Sequence, residues 1–456
     1  AEYRRQMSSD PTSRPPAAAV RQALVSILGV ARQVWQFFAR LVRRYWTARS
    51  GSQRLALTAF AVLIGGWALV KIWRVATLSI HNLTVAEEFK ISREGEPYRL
   101  FAADAEATVA EVLGERAGIC RVRLDTGERA YAVTQTTGSV AVGDRVVVNT
   151  TAVGLGLGTG GWHVVHWNLT TGPWSTPGPG HLMKLRYTSL QVDTGAAEEH
   201  HPDLPTDLGG VPVVVAGLHS HLPVLAVALA AARPGIRVAY VMTDGGALPL
   251  ALSDTVADLT DRGLLVGTVT AGHAFGGDHE CLNVPSALTV ARHLLHADAI
   301  VVAMGPGVAG TGSRLGYTGL EVAPALDAVA WLGGRPVACV RASSGDARAR
   351  HQGISHHTLT ALEAVRSVVH VPVPPGTHVP GHLARHRWVE VDPGPIHDHL
   401  ARHGLEVRTM GRGIGDDRAF FDTAASAGRF AATPPSEALP PSAAPSDARP
   451  PSVAPS

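Results

Sequence analysis

Ala299-Ile-Val-Val-Ala-Met304 runs straight into Gly305-Pro-Gly-Val-Ala-Gly-Thr-Gly-Ser-Arg-Leu-Gly-Tyr-Thr-Gly319. The first stretch is continuously apolar and rich in β-branched residues, the pattern of a strand buried on both faces. The second carries six glycines in fifteen residues, so its backbone can approach a ligand closely and reach φ > 0 without penalty. The same unit recurs on either side. Strands are expected at Val211–Ala216, Arg237–Met242, Leu264–Thr270, Pro336–Arg341 and Val368–Val373. They alternate with helices expected at Pro223–Ala232, Leu252–Asp261, Pro285–Leu295, Leu320–Leu332 and His356–Val365. Pro223 and Pro285 fall where a first helical turn tolerates proline, and Ser355 can cap the helix that follows it. The alternation predicts a doubly wound, Rossmann-like α/β domain with a parallel sheet over residues 181–430. Its last part is expected to add a strand, a short helix and a strand-like run at Leu405–Met410.

Upstream the period changes. Short alternating runs at Ala107–Leu113, Cys120–Leu124, Ala130–Thr134 and Arg145–Asn149 are separated by turn signals such as Asp125-Thr-Gly127 and Gly143-Asp144. Asp125-Thr-Gly-Glu128 joins two of them as a hairpin would. Residues 94–170 therefore read as a small β domain, a barrel or a sandwich, with a further strand at Trp162–Trp167. Such a domain has either a ligand-binding or a purely structural role. Residues 171–180 (TGPWSTPGPG) form a linker.

The chain has 456 residues, 45% hydrophobic and 17% charged, which is the composition of a globular protein of more than one domain. A net charge of +2 offers no basic stripe for nucleic acid, so no nucleic-acid partner is expected. Cys120, Cys281 and Cys339 stand isolated, without a disulfide framework or a CxxC zinc pair. Residues 1–20 and the Pro/Ser/Ala tail 431–456 are expected to be disordered. Residues 21–48 have apolar residues at helical spacing with arginines between them, the pattern of an amphipathic helix on a membrane surface or on the protein's own body. Residues 53–73 contain an uncharged run, Leu55–Val70, that covers roughly 24 Å as a helix, and about 28 Å with its flanks. This predicts a single transmembrane helix. The arginine excess before it places the N-terminus in the cytoplasm.

Ligands in open parallel sheets bind beyond the carboxyl ends of the strands. Reading only those ends collects His219, His221, Asp244, His279 and His356 as candidate catalytic residues, with His273, His357 and Asp278 nearby. His219-Ser-His221 on an extended segment would point both imidazoles to one side, which suits a metal as well as a general base. The glycine stretch supplies the candidate ligand-binding residues Gly305, Gly307, Gly310, Thr311, Gly312, Ser313 and Arg314. Gly305, Gly307 and Gly310 match G-x-G-x-x-G after a strand, yet Gly312, Gly316 and Gly319 delay the helix, and the next strand ends in Arg341 rather than an acid. A Walker loop is excluded because Gly312-Ser-Arg314 stands where Gly-Lys-Ser/Thr belongs. A serine-hydrolase elbow fails too, since Gly353-Ile-Ser355-His-His357 lacks the second glycine. What remains is a cradle for a phosphate or carboxylate, hence a small-molecule anionic ligand. No cofactor and no particular metal is specified.

Four motifs in this order, Asn149-Thr-Thr…Gly-Leu-Gly-Thr-Gly-Gly161, Ala274-Phe-Gly-Gly277, Gly305-Pro-Gly…Gly310-Thr-Gly312 and Arg350-His-x-Gly-Ile-Ser-His-His-Thr358, resemble the bacterial family catalogued as domain of unknown function 3866. The resemblance covers roughly residues 104–430. It implies a β domain followed by an α/β domain and brings no activity or catalytic residue with it. Members resemble soluble proteins that start near the β domain, so the membrane expectation belongs to the extra N-terminal stretch. Without that stretch the expected location is the cytoplasm. The functional expectation is an enzyme acting on a small anionic or phosphorylated metabolite, against a non-catalytic ligand-binding or membrane-associated scaffold protein.

Overall fold

The computed structural model describes residues 104–434, apart from 157–158, 172–177, 179–181 and 189. The segments 1–20, 21–48 and 53–73, and the tail beyond residue 434, lie outside the described residues. Among the described residues no helix is long and apolar enough to cross a membrane.

The first body is a closed five-stranded barrel of β1 (Asp104–Arg116), β2 (Ile119–Leu124), β3 (Arg129–Val133), β4 (Arg145–Asn149) and β5 (Trp162–Asn168), ordered β1-β2-β3-β5-β4. Closure removes the unpaired edges that a five-stranded sandwich would leave. Short helices α1 (Thr134–Thr137) and α2 (Thr151–Gly154) bridge β3 to β4 and β4 to β5. The second glycine-rich run thus begins as a helical turn. Alternate residues fill the barrel, among them Val109, Val122, Leu124, Ala130, Val146, Val148 and Val165. The expected hairpin is present, with Leu124 N–H donating to the Glu128 carbonyl at 2.8 Å. Outside the barrel, Tyr131 and Trp162 stack with centroids 4.6 Å apart, and the Arg129 guanidinium lies 4.6 Å from the Trp162 ring. Arg116 and Arg121 both pair with Asp254 of the α/β part.

A ribbon of β6 (Met183–Lys184) and β7 (Val192–Asp193) and a short helix α3 (Ala197–His200) lead into the second body. Lys184 is buried there, its ammonium donating to the carbonyls of Thr270, Ala274 and Cys281 and pairing with Glu280 at 3.0 Å. The main sheet has eight strands: β8 (Pro212–Ala216), β9 (Val238–Thr243), β10 (Gly267–Ala271), β11 (His279–Cys281), β12 (Ala299–Met304), β13 (Arg335–Cys339), β16 (His370–Val373) and β17 (Arg387–Glu390). A two-stranded ribbon, β14 (Ala342–Ser343) with β15 (Gly353–Ile354), sits between β13 and β16 in sequence. The sheet is parallel throughout, in the order β11-β10-β9-β12-β8-β13-β16-β17. Its connecting helices are α4 (His221–Ala232), α5 (Asp254–Asp261), α6 (Val284–His293), α7 (Val322–Trp331) and α8 (His356–Ala364), followed by α9 (Ile396–Arg402) and α10 (Arg418–Ala432).

Side chains alternate between the faces of a strand, and the two cores follow. Val213, Val215, Val241, Ile300, Val302 and Ala338 pack beneath α6, α7 and α8. Val214, Ala216, Tyr240, Met242, Val301 and Cys339 pack beneath α4, α5, α9 and α10. Both faces are therefore covered by helices. Ser253, Asn283 and Ser355 cap α5, α6 and α8 by accepting backbone N–H bonds.

Three expectations need correction. The strand order is not that of a dinucleotide-binding sheet, because β12 is inserted between β9 and β8. Leu405–Met410 forms no strand; a single bridge pairs Thr409 with Arg412. The segment after it is the fifteen-residue helix α10, which runs two residues into the expected tail. Its apolar face (Phe420, Phe421, Ala424, Ala425, Ala427, Ala431) is masked in the sequence by small residues of low hydrophobic contrast. Edge strand β11 was also absent from the sequence pattern, since three residues are too few to show a period.

Helices α4 and α10 approach closely at Gly428, where an added Cβ would lie 2.8 Å from Ala228 Cβ and 3.0 Å from the Leu225 carbonyl. Overpacking of this kind typically costs about 1–3 kcal/mol. Gly428→Val should lower the denaturant-unfolding free energy by about that amount. Gly415→Ala, where a Cβ meets nothing within 4 Å, should leave it unchanged.

Candidate functional site

From β8 and β9 the chain leaves along the α4/α5 face, whereas from β12 and β13 it leaves along the opposite face through α7 and α8. Adjacent strands whose connections diverge open a crevice at their carboxyl ends. This order creates two, one between β9 and β12 and one between β8 and β13.

The β9/β12 crevice holds two carboxylates. Glu321, immediately before α7, accepts a short hydrogen bond from the Thr243 hydroxyl. Burial pushes its pKa up to about 7; the Thr243 bond opposes that and neighbouring Asp244 adds to it. Asp244 accepts from the His273 N–H at 3.3 Å. Glycine is required around them: a Cβ on Gly245 would meet Glu321 Oε2 at 3.1 Å, and one on Gly272 (φ +65) would meet Asp244 Oδ2 at 2.2 Å.

The β8/β13 crevice is lined by Gly217, Gly319, Val322, Arg341, His357 and Thr358 around a cavity of about 20 Å³, room for one water. Arg341 donates to His357 Nδ1 at 3.2 Å and stands 3.7 Å from Asp346. Burial lowers its pKa to about 10. Asp346 is held well below the usual carboxylate range, chiefly by its Arg348 hydrogen bond. It also pairs with Arg412, which in turn pairs with Asp417, itself bonded to Ser343.

The glycine stretch folds as an exposed flap over this crevice. Gly310 bridges Tyr317, and Thr311 N–H donates to the Gly316 carbonyl at 2.8 Å. Thr311, Ser313 and Gly316 bond one another, and Arg314 is paired with Glu363. The flap rests on His357: a Cβ on Gly310 would lie 4.0 Å from its ring, Tyr317 stacks on it at 3.9 Å, and the Tyr317 hydroxyl donates to the His357 carbonyl. Gly305 and Gly307 form the root of the flap, at the end of β12, with Gly305 packed against Met242.

Of the residues singled out in the sequence, His356 and Gly310–Arg314 come together at the β8/β13 crevice, and Asp244 lies in the neighbouring one. His219 is buried, its ring between the Ser253 hydroxyl (2.7 Å) and the Tyr240 hydroxyl (3.3 Å). Burial lowers its pKa to about 4. His221 is 0% exposed, stacked on Phe420 at 4.3 Å with neither ring nitrogen hydrogen-bonded, and burial lowers its pKa to about 3. The His219-Ser-His221 pair does not face one point, because His221 already begins α4. His279 sits on edge strand β11, four strands from β8. Sequence reasoning passed over Glu321, Arg341, His351 and Tyr317. Glu321 reads as an ordinary helix-start acid, and only its burial makes it unusual.

The profile of the family described as Protein of unknown function (DUF3866) matches residues 129–428. The chain belongs to that family. The match takes in the barrel from β3 onward and nearly all of the α/β body, a shorter reach than the resemblance read from residue 104. No curated protein matches the chain.

Two pH effects of opposite sign follow. The folded state holds the Glu321 proton more tightly than the unfolded chain, so its contribution to stability is full below about pH 4.5 and is lost as pH rises to about 7. The slope is at most about 1.4 kcal/mol per pH unit. In urea titrations Glu321→Gln should gain on wild type between pH 5 and pH 7.5 and then hold its advantage. The buried histidines are neutral when folded, so their contribution is present above about pH 6.5 and falls as pH drops toward 4. His221→Phe keeps the stack on Phe420 and should hold stability better than wild type between pH 6 and pH 4.

Proposed function

We propose that the chain is an enzyme that binds a small anionic or phosphorylated metabolite at the carboxyl edge of its parallel sheet. Arg341 and the backbone amides of Gly310–Ser313 hold the anion. Glu321, backed by Asp244, gives or takes a proton across the Thr318–Glu321 turn, which separates the two crevices. The observation that carries the reading is the placing of the glycine-rich flap on His357, directly beside a buried arginine at a topological switch point. A carboxyl group that titrates near neutrality is the form a general acid–base catalyst needs. Fold alone is no argument for function; these side chains supply it.

The rival reading, a non-catalytic ligand-binding or membrane-associated scaffold protein, is favoured by the size of the cavity, which admits a water and not a metabolite while the flap is down. The two readings separate on turnover.

Thermal melting against a panel of phosphorylated and carboxylated metabolites should find at least one that raises the wild-type midpoint. A ligand at a hundredfold over its Kd contributes about 2.7 kcal/mol, a shift of several degrees. Gly310→Leu, which adds bulk on the His357 side of the flap, should abolish the shift. Glu321→Gln should keep the shift and lose turnover. A panel without a single stabilising anion would remove the proposal; a stabilising anion that Glu321→Gln and wild type both leave unconverted would favour the rival.

A further inference from the structure

Three imidazoles converge where the loop after β13 returns to the sheet. The β14–β15 ribbon carries the chain back from Ser343 to Gly353, and the turn Ala349–His351 before β15 places His351 inside, 1% exposed. Ser355 then caps α8, so its first two residues, His356 and His357, project from the first turn. Ring centroids are 5.0 Å apart for His351 and His356, 4.9 Å for His351 and His357, and 4.3 Å for His356 and His357. One ring nitrogen from each lies within 4.8 Å of the other two.

The geometry points to a transition-metal site at His351, His356 and His357, for an ion of the zinc type with a fourth position open to water or an anion. This assignment does not depend on whether the metabolite proposed above is turned over.

Four observations support it. His356 Nε2 is buried without a hydrogen-bond partner, an arrangement that leaves a lone pair or an N–H stranded unless something is bound to it. His351 Nδ1 stands 2.7 Å from the Ser355 hydroxyl. That contact fixes the ring and leaves Nε2 to face an ion, the second-shell arrangement common to ligating histidines. His357 is held by the parallel Tyr317 ring, at an interplanar angle of 1°. Finally, burial and the neighbouring arginines lower the pKa of all three rings, to about 4 for His351 and about 3 for His357, so the neutral form that binds metal prevails at neutral pH.

The surroundings select the metal. Three neutral nitrogens beside Arg341, Arg348 and Arg350 offer nothing to hard cations such as Mg²⁺ or Ca²⁺, which want oxygen ligands. Imidazole sets suit Zn²⁺, Co²⁺, Ni²⁺ and Cu²⁺. Metal–nitrogen bonds of about 2.0–2.1 Å are reached by small side-chain rotations that close the three rings on one point. Arg341 occupies His357 Nδ1, so an ion engaging His357 displaces or reorients that guanidinium. Asp346, already 3.7 Å away, is its alternative partner. Three protein ligands leave the fourth position free, as in catalytic rather than structural zinc sites, and the arginines favour an anion there.

The test uses the full chain, stripped with a chelator and titrated with Zn²⁺ and Co²⁺ by calorimetry and visible absorption. The expected result is one equivalent bound, cobalt d–d bands characteristic of nitrogen ligation, and no uptake of Mg²⁺. His356→Ala, at a position only half buried, should weaken binding at least tenfold and remove the cobalt bands, and so should His351→Gln, chosen to stay near the Ser355 hydroxyl. Since the chain has 22 histidines, His279→Ala on the edge strand is the control for adventitious binding and should match wild type. Failure to bind either ion would overturn the site, and so would binding that His356→Ala and His351→Gln leave untouched while both remain folded by circular dichroism.

Discussion

A parallel sheet can be buried only if helices cover both of its faces, because each strand presents an apolar surface on either side. In this protein that requirement consumes almost every apolar residue between Val211 and Ala432. Val213 and Val215 serve one core, Val214 and Ala216 the other. α4 is buried along most of its length between the sheet and α10, with Gly428 letting the two helices touch. Once both faces are sealed, polar chemistry has one place left, the carboxyl edge. There the strands end in Gly217, Thr243, Gly272, Gly305 and Arg341.

Strand order then decides what meets at that edge. Inserting β12 between β9 and β8 splits the expected single crevice into two and brings the Thr318–Glu321 turn between them. Glu321 is pressed among Thr243, Gly245 and Met304, where its proton is hard to lose. Across the turn, Arg341 is drawn toward His357 and Asp346. The flap from Gly305 to Gly319 connects the two, and its glycines have specific tasks: Gly310 allows contact with His357, and Gly319 comes within 3.3 Å, at its would-be Cβ, of the Gly217 carbonyl. Much of the flap's hydrogen-bonding capacity is spent on itself, through Thr311, Ser313 and Gly316.

Histidine illustrates why residue type and position along a strand are weak guides to chemistry. His219, His221, His279 and His356 all sit near carboxyl ends of strands in the sequence. In the fold, His219 closes a hydrogen-bonded chain between Ser253 and Tyr240, and His221 fills space against Phe420. His279 stands on an edge strand, and His356 alone joins other imidazoles. His351, buried at a turn the sequence shows only as a polar loop, completes that group. Nothing local to Arg350-His351-Gln352 distinguishes it from the many histidines of the 378–403 region.

The sequence by itself determined the alternation of strands and helices, the barrel-then-sheet arrangement, the edge of the sheet that carries polar residues, and the family. Each rests on local information: periodicity, turn residues, caps and ordered motifs. Tertiary structure alone decided the strand order, the two crevices, the fifteen-residue α10, the near-neutral proton of Glu321 and the meeting of His351 with His356 and His357. Those properties come from groups far apart in the chain, whose desolvation and contacts exist only after the sheet has closed between its two layers of helices.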